Sequence, residues 1–264
     1  MKHAKLNEIF KEGKTMIIAY DQGFEHGPTS DFNEKNVDPN YIMDIALEGR
    51  YNCVAVQSGI AEKYYFTHYR EVPLLVKLNA KTRFDSKEPV SLQHTSVKYA
   101  VELGAKAVGY TIYLGSDYEQ KMFKEFGKIV EDAHTAGIPV ICWMYPRGNH
   151  IKDETSVETI AYGVRVAMEL GADVIKTKFV DDMQGLKWIR KCAGRSKLVL
   201  AGGSKQGDLD FLKMVEKVIH AGFDGIAVGR NVWQSEHPLE ITKGLKEIIF
   251  KGKSAEEAFS KMKK

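Results

Sequence analysis

Cysteine is scarce in this chain of 264 residues, and the three that occur, Cys53, Cys142 and Cys192, are far apart. An odd number of widely spaced thiols argues against a disulfide scaffold and for a reducing compartment. Long hydrophobic runs are missing too: no stretch approaches the roughly 20 apolar residues of a membrane-spanning helix. The first 23 residues show no apolar run flanked by a small-residue cleavage site, so a cytoplasmic location is expected. Charge of one sign is not in excess. A net charge of +3 with scattered basic residues gives no reason to expect a nucleic-acid or membrane-surface partner. The eight histidines contain no His-x-x-x-His pair. His94, His134 and His220 fall in helical patterns, leaving only His26, beside Glu25, near a strand end; no full set of metal ligands is nominated.

What is present is ordinary globular material, 44% apolar and 28% charged. Short β-branched and apolar runs recur at 15–20, 51–57, 73–79, 106–113, 138–145, 173–179, 197–203 and 224–229. Amphipathic stretches at 96–104, 118–137, 156–171 and 208–222 end in glycine just before the next run, the αβ joint of a parallel sheet. Eight such strands alternating with helices predict a single α/β domain over 1–264, a closed (β/α)8 TIM barrel. The competing open doubly wound sheet lacks the Gly-x-Gly-x-x-Gly expected after its first strand. Segment 58–72 reads as a loop with one or two turns.

In a barrel the carboxyl ends of the strands build the active site. Strand one ends in Asp21, strand three in Lys77 and Asn79, and strand five presents Trp143, Tyr145 and Arg147 on one face. Strands seven and eight run into "GGSK" (202–205) and "VGRNVW" (228–233). Barrels often bind phosphate at that position. Gly202 and Gly203 let backbone approach an anion, Ser204 adds a hydroxyl, and Gly229 with Arg230 repeats the plan from strand eight.

The stretch "LGADVIKTKFVDD" (170–182) places Lys176 and Lys178 on one face of a core strand. Two buried ammonium groups are costly, and each lowers the other's affinity for a proton. A neutral lysine amine attacks carbonyls, and the resulting imine is an electron sink. Lys176, the deeper of the two, is the expected nucleophile and Lys178 its charged neighbour. Tyr145 is a candidate proton-transfer group, its phenol expected to be acidified by a nearby cation. Asp21 either orients the amine or substrate hydroxyls or is a turn residue. Trp143 reads as core filling.

These residues are similar to those of a known family. "AYDQGFEHGP" (19–28), "IAEKYY" (60–65), "VKLNAKT" (76–82), "GYTIYLGSDYEQKMF" (109–123), "MYPRG" (144–148), "ADVIKTKF" (172–179), "AGGSK" (201–205) and "AVGRNVWQ" (227–234) resemble the archaeal-type class I fructose-1,6-bisphosphate aldolases, in order and over nearly the whole chain. The resemblance implies a lyase without metal or other cofactor, cleaving a sugar bisphosphate into dihydroxyacetone phosphate and glyceraldehyde 3-phosphate. It implies Lys176 as the Schiff-base lysine, Tyr145 as the proton-transfer residue and Asp21 as the carboxylate beside the lysine. Trp143 would line the substrate site, and Gly203, Ser204, Gly229 and Arg230 would hold one phosphate. His26 and Arg147 would serve the other. Homo-oligomers, typically decamers, are the family's form. Related barrels with the same lysine build a dideoxy-heptulosonate precursor of aromatic amino acids or handle a phosphorylated quorum-signal sugar, and transaldolase-type activity is a further alternative. A metal-dependent phosphosugar isomerase or lyase, and a silent sugar-phosphate-binding regulator, are the alternatives outside that chemistry.

Overall fold

A computed structural model describes residues 5–27, 31–84 and 88–262; Pro28, the last residue of the first quoted motif, lies outside them. In chain order the elements are β1 (Thr15–Ala19), α1 (Gln22–His26), α2 (Pro39–Glu48), β2 (Cys53–Gln57), α3 (Ser58–Tyr64), β3 (Leu74–Lys77), α4 (Val97–Glu102) and β4 (Ala107–Leu114). There follow α5 (Glu119–Ala136), β5 (Val140–Pro146), α6 (Val157–Glu169), β6 (Val174–Thr177), α7 (Met183–Cys192), β7 (Lys197–Ala201), α8 (Asp208–His220) and β8 (Gly225–Val228). The chain finishes with α9 (Arg230–Trp233), α10 (Pro238–Lys251) and α11 (Ala255–Ser260).

All strand pairs are parallel, and β8 returns to pair with β1, Thr15 opposite Gly225 and Ile18 opposite Val228. That last pairing closes the barrel and removes the open-sheet alternative. Side chains alternate between two cores, as period two requires. One set points inward: Ile17 and Ala19, Cys53 and Ala55, Leu75, Ala107, Ile141 and Trp143, Val174, Val199 and Ala227. The other set meets the helices. Ile9 and Phe10 seal the end where strands begin. Thr15 Oγ1 donates to Ile9 O at 2.7 Å, and Lys197 lies over the Phe10 ring. Apolar side chains thus close that end, and the open mouth is the opposite one, at the carboxyl ends of the strands.

Helix starts are capped by the residues their sequences offer. Ser96 accepts from Tyr99 N, Ser156 from Thr159 N and Asp182 from Gln184 N. Gly137 ends α5 at φ 78°, a left-handed turn that a side chain would strain. Segment 58–72 is more ordered than its sequence suggests. α3 packs on β2 and β3, and a 3-10 helix follows at Thr67–Glu71. Tyr65 donates to Val72 O and Tyr69 to Asp44 Oδ1, closing the connection. Seven residues are too few to show a helical period, so only this packing reveals the helix. His94 also departs from expectation: it lies before α4, not in a helix, and its ring stacks on Phe24 at 5.4 Å.

Candidate active site

A cavity of about 390 Å³ opens at the carboxyl ends of the strands. Asp21, His26, Trp143, Tyr145, Arg147, Lys176, Gly203, Ser204, Gly229 and Arg230 all line it, although they come from five different strand ends. The barrel thus brings these ten residues together, while Lys77 and Asn79 at the end of β3 stay outside the cavity wall.

Lys176, on β6, is only 5% exposed and its Nζ lies 4.8 Å from the centre of the Trp143 ring, its register partner on β5. Burial pushes its amine down to about 8; Asp21 pulls it back up, and Lys77 pushes it further down. The amine is therefore neutral more readily near pH 7 than that of an ordinary lysine. Such an amine is a competent nucleophile.

The neighbouring cation differs from the expected one. Lys178 lies past the end of β6, where its Nζ donates to Glu154 Oε2 at 2.5 Å at the cavity rim. β6 ends at Thr177, so the strand alternation that would have aimed Lys178 inward does not extend to it. The charged neighbour is Lys77 of β3, 1% exposed, with its Nζ 3.6 Å from Asp21 Oδ2 and 3.9 Å from Glu25 Oε1. It lies inside an apolar run, and the burial argument applied to Lys176 would have found it.

Tyr145 also needs correction. The one acidifying cation, Arg147, is outweighed: burial first, then the carboxylates of Asp21 and Glu25 and the Tyr113 phenol, push its hydroxyl well above the ordinary value. It stands as a neutral phenol. Trp143 is both things the sequence offered, part of the inner core and part of the cavity wall.

The loops after β7 and β8 form one rigid cradle. Asn231, wholly buried, donates from Nδ2 to Gly202 O and Ser204 O at 2.7 and 3.0 Å, and its Oδ1 accepts from Gln206 N. Gly203 sits at φ 67°. At Gly229 a β-carbon would fall 2.5 Å from Ala19 O, so only glycine fits. Arg230 Nη1 reaches Asp31 Oδ2 at 3.2 Å, while its Nε is buried without a partner. Asp31 also pairs with His26 Nδ1 at 2.9 Å, so one carboxylate joins two residues expected at opposite ends of the substrate. Arg147 pairs with Glu154 at 3.4 Å. Its loop is held by Glu88, which accepts from Asn149 N and Asp117 N. Asn231, Asp31 and Glu88 carry no sequence pattern of their own; only the fold exposes their roles. Among the described residues no group of acidic, histidine and cysteine side chains is arranged to hold a metal ion.

Fold and site together define a (β/α)8-barrel protein with a desolvated lysine in a cavity walled by two glycine-ended loops. The chain belongs to the DeoC/LacD aldolase family, whose model matches residues 15–235. It is 47% identical to a class 1 fructose-bisphosphate aldolase of Thermoproteus tenax, over 96% of each chain. It is 41% identical to the Halobacterium salinarum class 1 enzyme over 96% of this chain and 97% of the relative. Among solved structures it resembles an archaeal fructose-1,6-bisphosphate aldolase whose catalytic lysine is covalently bound to the carbinolamine intermediate. The TM-score is 0.89 and the identity 46%, over 93% of this chain and 98% of that one.

Proposed function

We propose that this protein is a class I fructose-bisphosphate aldolase, reversibly cleaving fructose 1,6-bisphosphate to dihydroxyacetone phosphate and glyceraldehyde 3-phosphate through an imine on Lys176. The observation that carries the reading is the buried Lys176 amine, pushed down to about 8, beside a cradle in which two glycine-ended loops and Arg230 await an anion. The family membership and the similarity to class 1 aldolases point the same way.

The chemistry follows from the groups present. The neutral amine adds to C2 of the ketose, and its proton passes to the new hydroxyl. Tyr145, a neutral phenol, gives its proton to that hydroxyl as it leaves as water. The iminium then draws in the electron pair of the C3–C4 bond. As that bond breaks, the phenolate takes the proton of the C4 hydroxyl, releasing the aldehyde. Its neighbours Asp21 and Glu25 make that phenolate a strong and short-lived base. The same phenol protonates C3 of the enamine and is restored when water cleaves the imine. Gly203, Ser204, Gly229 and Arg230 hold the phosphate of the dihydroxyacetone half; His26 and Arg147 take the other. A role in glycolysis and gluconeogenesis, a cytoplasmic location and a homo-oligomeric, decameric form accompany this reading.

Borohydride with dihydroxyacetone phosphate tests it. A stable adduct on Lys176, absent from Lys176→Ala together with activity, is the expected result. Failure of any lysine to be labelled, with activity lost to a chelator, would overturn it in favour of metal-dependent chemistry.

A further inference from the structure

We propose that Lys77 is a positioning residue of this aldolase: it draws the Asp21 carboxylate to itself, away from the Lys176 amine, and so leaves that amine free to attack the substrate carbonyl. The inference rests on the reading of Lys176 as the imine-forming residue.

Three observations place Lys77 in that role. First, Asp21 lines the same cavity as Lys176, yet among the described residues no carboxylate comes within the 4.0 Å of an ion pair with Lys176, whereas Asp21 Oδ2 lies 3.6 Å from Lys77 Nζ. An ammonium paired with a carboxylate in a buried site keeps its proton and cannot be a nucleophile. Second, both amines lie over one ring, Lys77 at 5.2 Å and Lys176 at 4.8 Å from the Trp143 centroid. The two amines thus share one indole. Third, Lys77 is anchored from behind. Its Nζ donates to Asn79 O at 3.1 Å, and Asn79 is pinned by bonds to Ser91 O, Thr111 O and Thr111 N. Lys77 does not line the cavity, so it acts on the substrate through the lining residues around it, Asp21 foremost.

The charged and titratable surroundings come from several elements. Asp21, Glu25, Lys77 and Arg230 act on Lys176, with Tyr145 lining the same cavity and Lys178 tied to Glu154. Lys77 in turn faces Asp21, Glu25, His94 and Cys142. Removing the Lys77 charge takes away a repulsion on Lys176 and frees Asp21 to attract it. Both changes favour the protonated amine.

The experiment is the pH dependence of borohydride trapping with dihydroxyacetone phosphate. Lys77→Met is expected to move the midpoint upward by about one pH unit or more, with the label still on Lys176 and the rate recovering in alkali. Lys77→Arg, which keeps the charge, should stay near the unmodified midpoint. Lys77→Met combined with Asp21→Asn should bring the midpoint back down, because the freed carboxylate is gone. If Lys77→Met does not fold, Lys77→Gln, which can still bond Asn79 O, carries the same expectation. A labelled variant without the Lys77 charge whose midpoint is unmoved overturns the proposal, as does a shift that persists in the double variant. Absence of label in the unmodified protein would instead overturn the aldolase reading.

Discussion

The indole of Trp143 occupies the place a side chain would take at Gly109: a β-carbon there would overlap Trp143 Cζ3 and Cη2. Gly109 is on β4, in register with Ile141 of the neighbouring strand, and points into the barrel. Its missing side chain lets the largest residue of the inner core lie beside Lys77 and Lys176. Gly109→Ala should push the ring toward the lysines. Overpacking of this kind costs about 1–3 kcal/mol. Displacing a wall of the site by about 1 Å can cost on the order of 100-fold in turnover. Urea unfolding and steady-state kinetics on the same preparation check both, and a variant matching the parent in each would show that the ring is not wedged.

Lys176 makes stability depend on pH in a direction that can be worked out. Its amine holds a proton up to its ordinary value of 10.5 in the unfolded chain but gives it up near 8 in the fold. Between those values the unfolded chain binds more protons, so stability rises with pH across that window. Below it the fold carries the whole penalty, about 3 kcal/mol by the usual conversion. Lys176→Met should therefore raise the melting temperature at pH 7, and the gain should shrink toward pH 10. Equal melting temperatures at pH 7 would mean that the lysine is not desolvated as described.

The barrel was legible because its signal is repeated eight times: an apolar run, a helix and a glycine joint each reinforce the others, and the strand starts and ends then shift by only a few residues. The buried lysine was legible because a charge in an apolar run has few innocent explanations. Its partner was not. Lys178 follows Lys176 in the chain, whereas Lys77 reaches it across the barrel, two strands away from Asp21, and sequence shows distance along the chain only. The Tyr145 environment was hidden for the same reason, since the carboxylates that oppose its ionisation arrive from β1 and α1.

Arg230 has a buried Nε with no partner and a single carboxylate, Asp31, on Nη1. Its side chain lines the cavity, where a phosphate in the cradle would meet the guanidinium charge. Charge-assisted bonds to an anion contribute about 1.5–3 kcal/mol, so Arg230→Met should raise KM for fructose 1,6-bisphosphate by roughly 10- to 100-fold. Inorganic phosphate should inhibit the parent competitively and the variant hardly at all. If inhibition by phosphate were undiminished, the cradle would lie elsewhere in the cavity.

Tyr145→Phe separates binding from proton transfer. The phenol is half-buried at the cavity wall and held neutral by desolvation and by Asp21, Glu25 and Tyr113, and its removal leaves Lys176, Trp143 and the cradle in place. Attack of the amine on the ketose needs no external acid, because the proton moves from nitrogen to the new hydroxyl. Loss of that hydroxyl as water does need one, and so does the later return of a proton to carbon. The variant should bind substrate with little change in KM and lose about 100- to 10,000-fold in kcat, the usual contribution of a positioned acid–base group. Intact hexose bisphosphate should accumulate covalently on Lys176, visible in a soaked crystal or by mass after rapid quenching. A variant that loses activity without accumulating that adduct would place Tyr145 before the attack, as a residue that shapes the site rather than one that moves its protons.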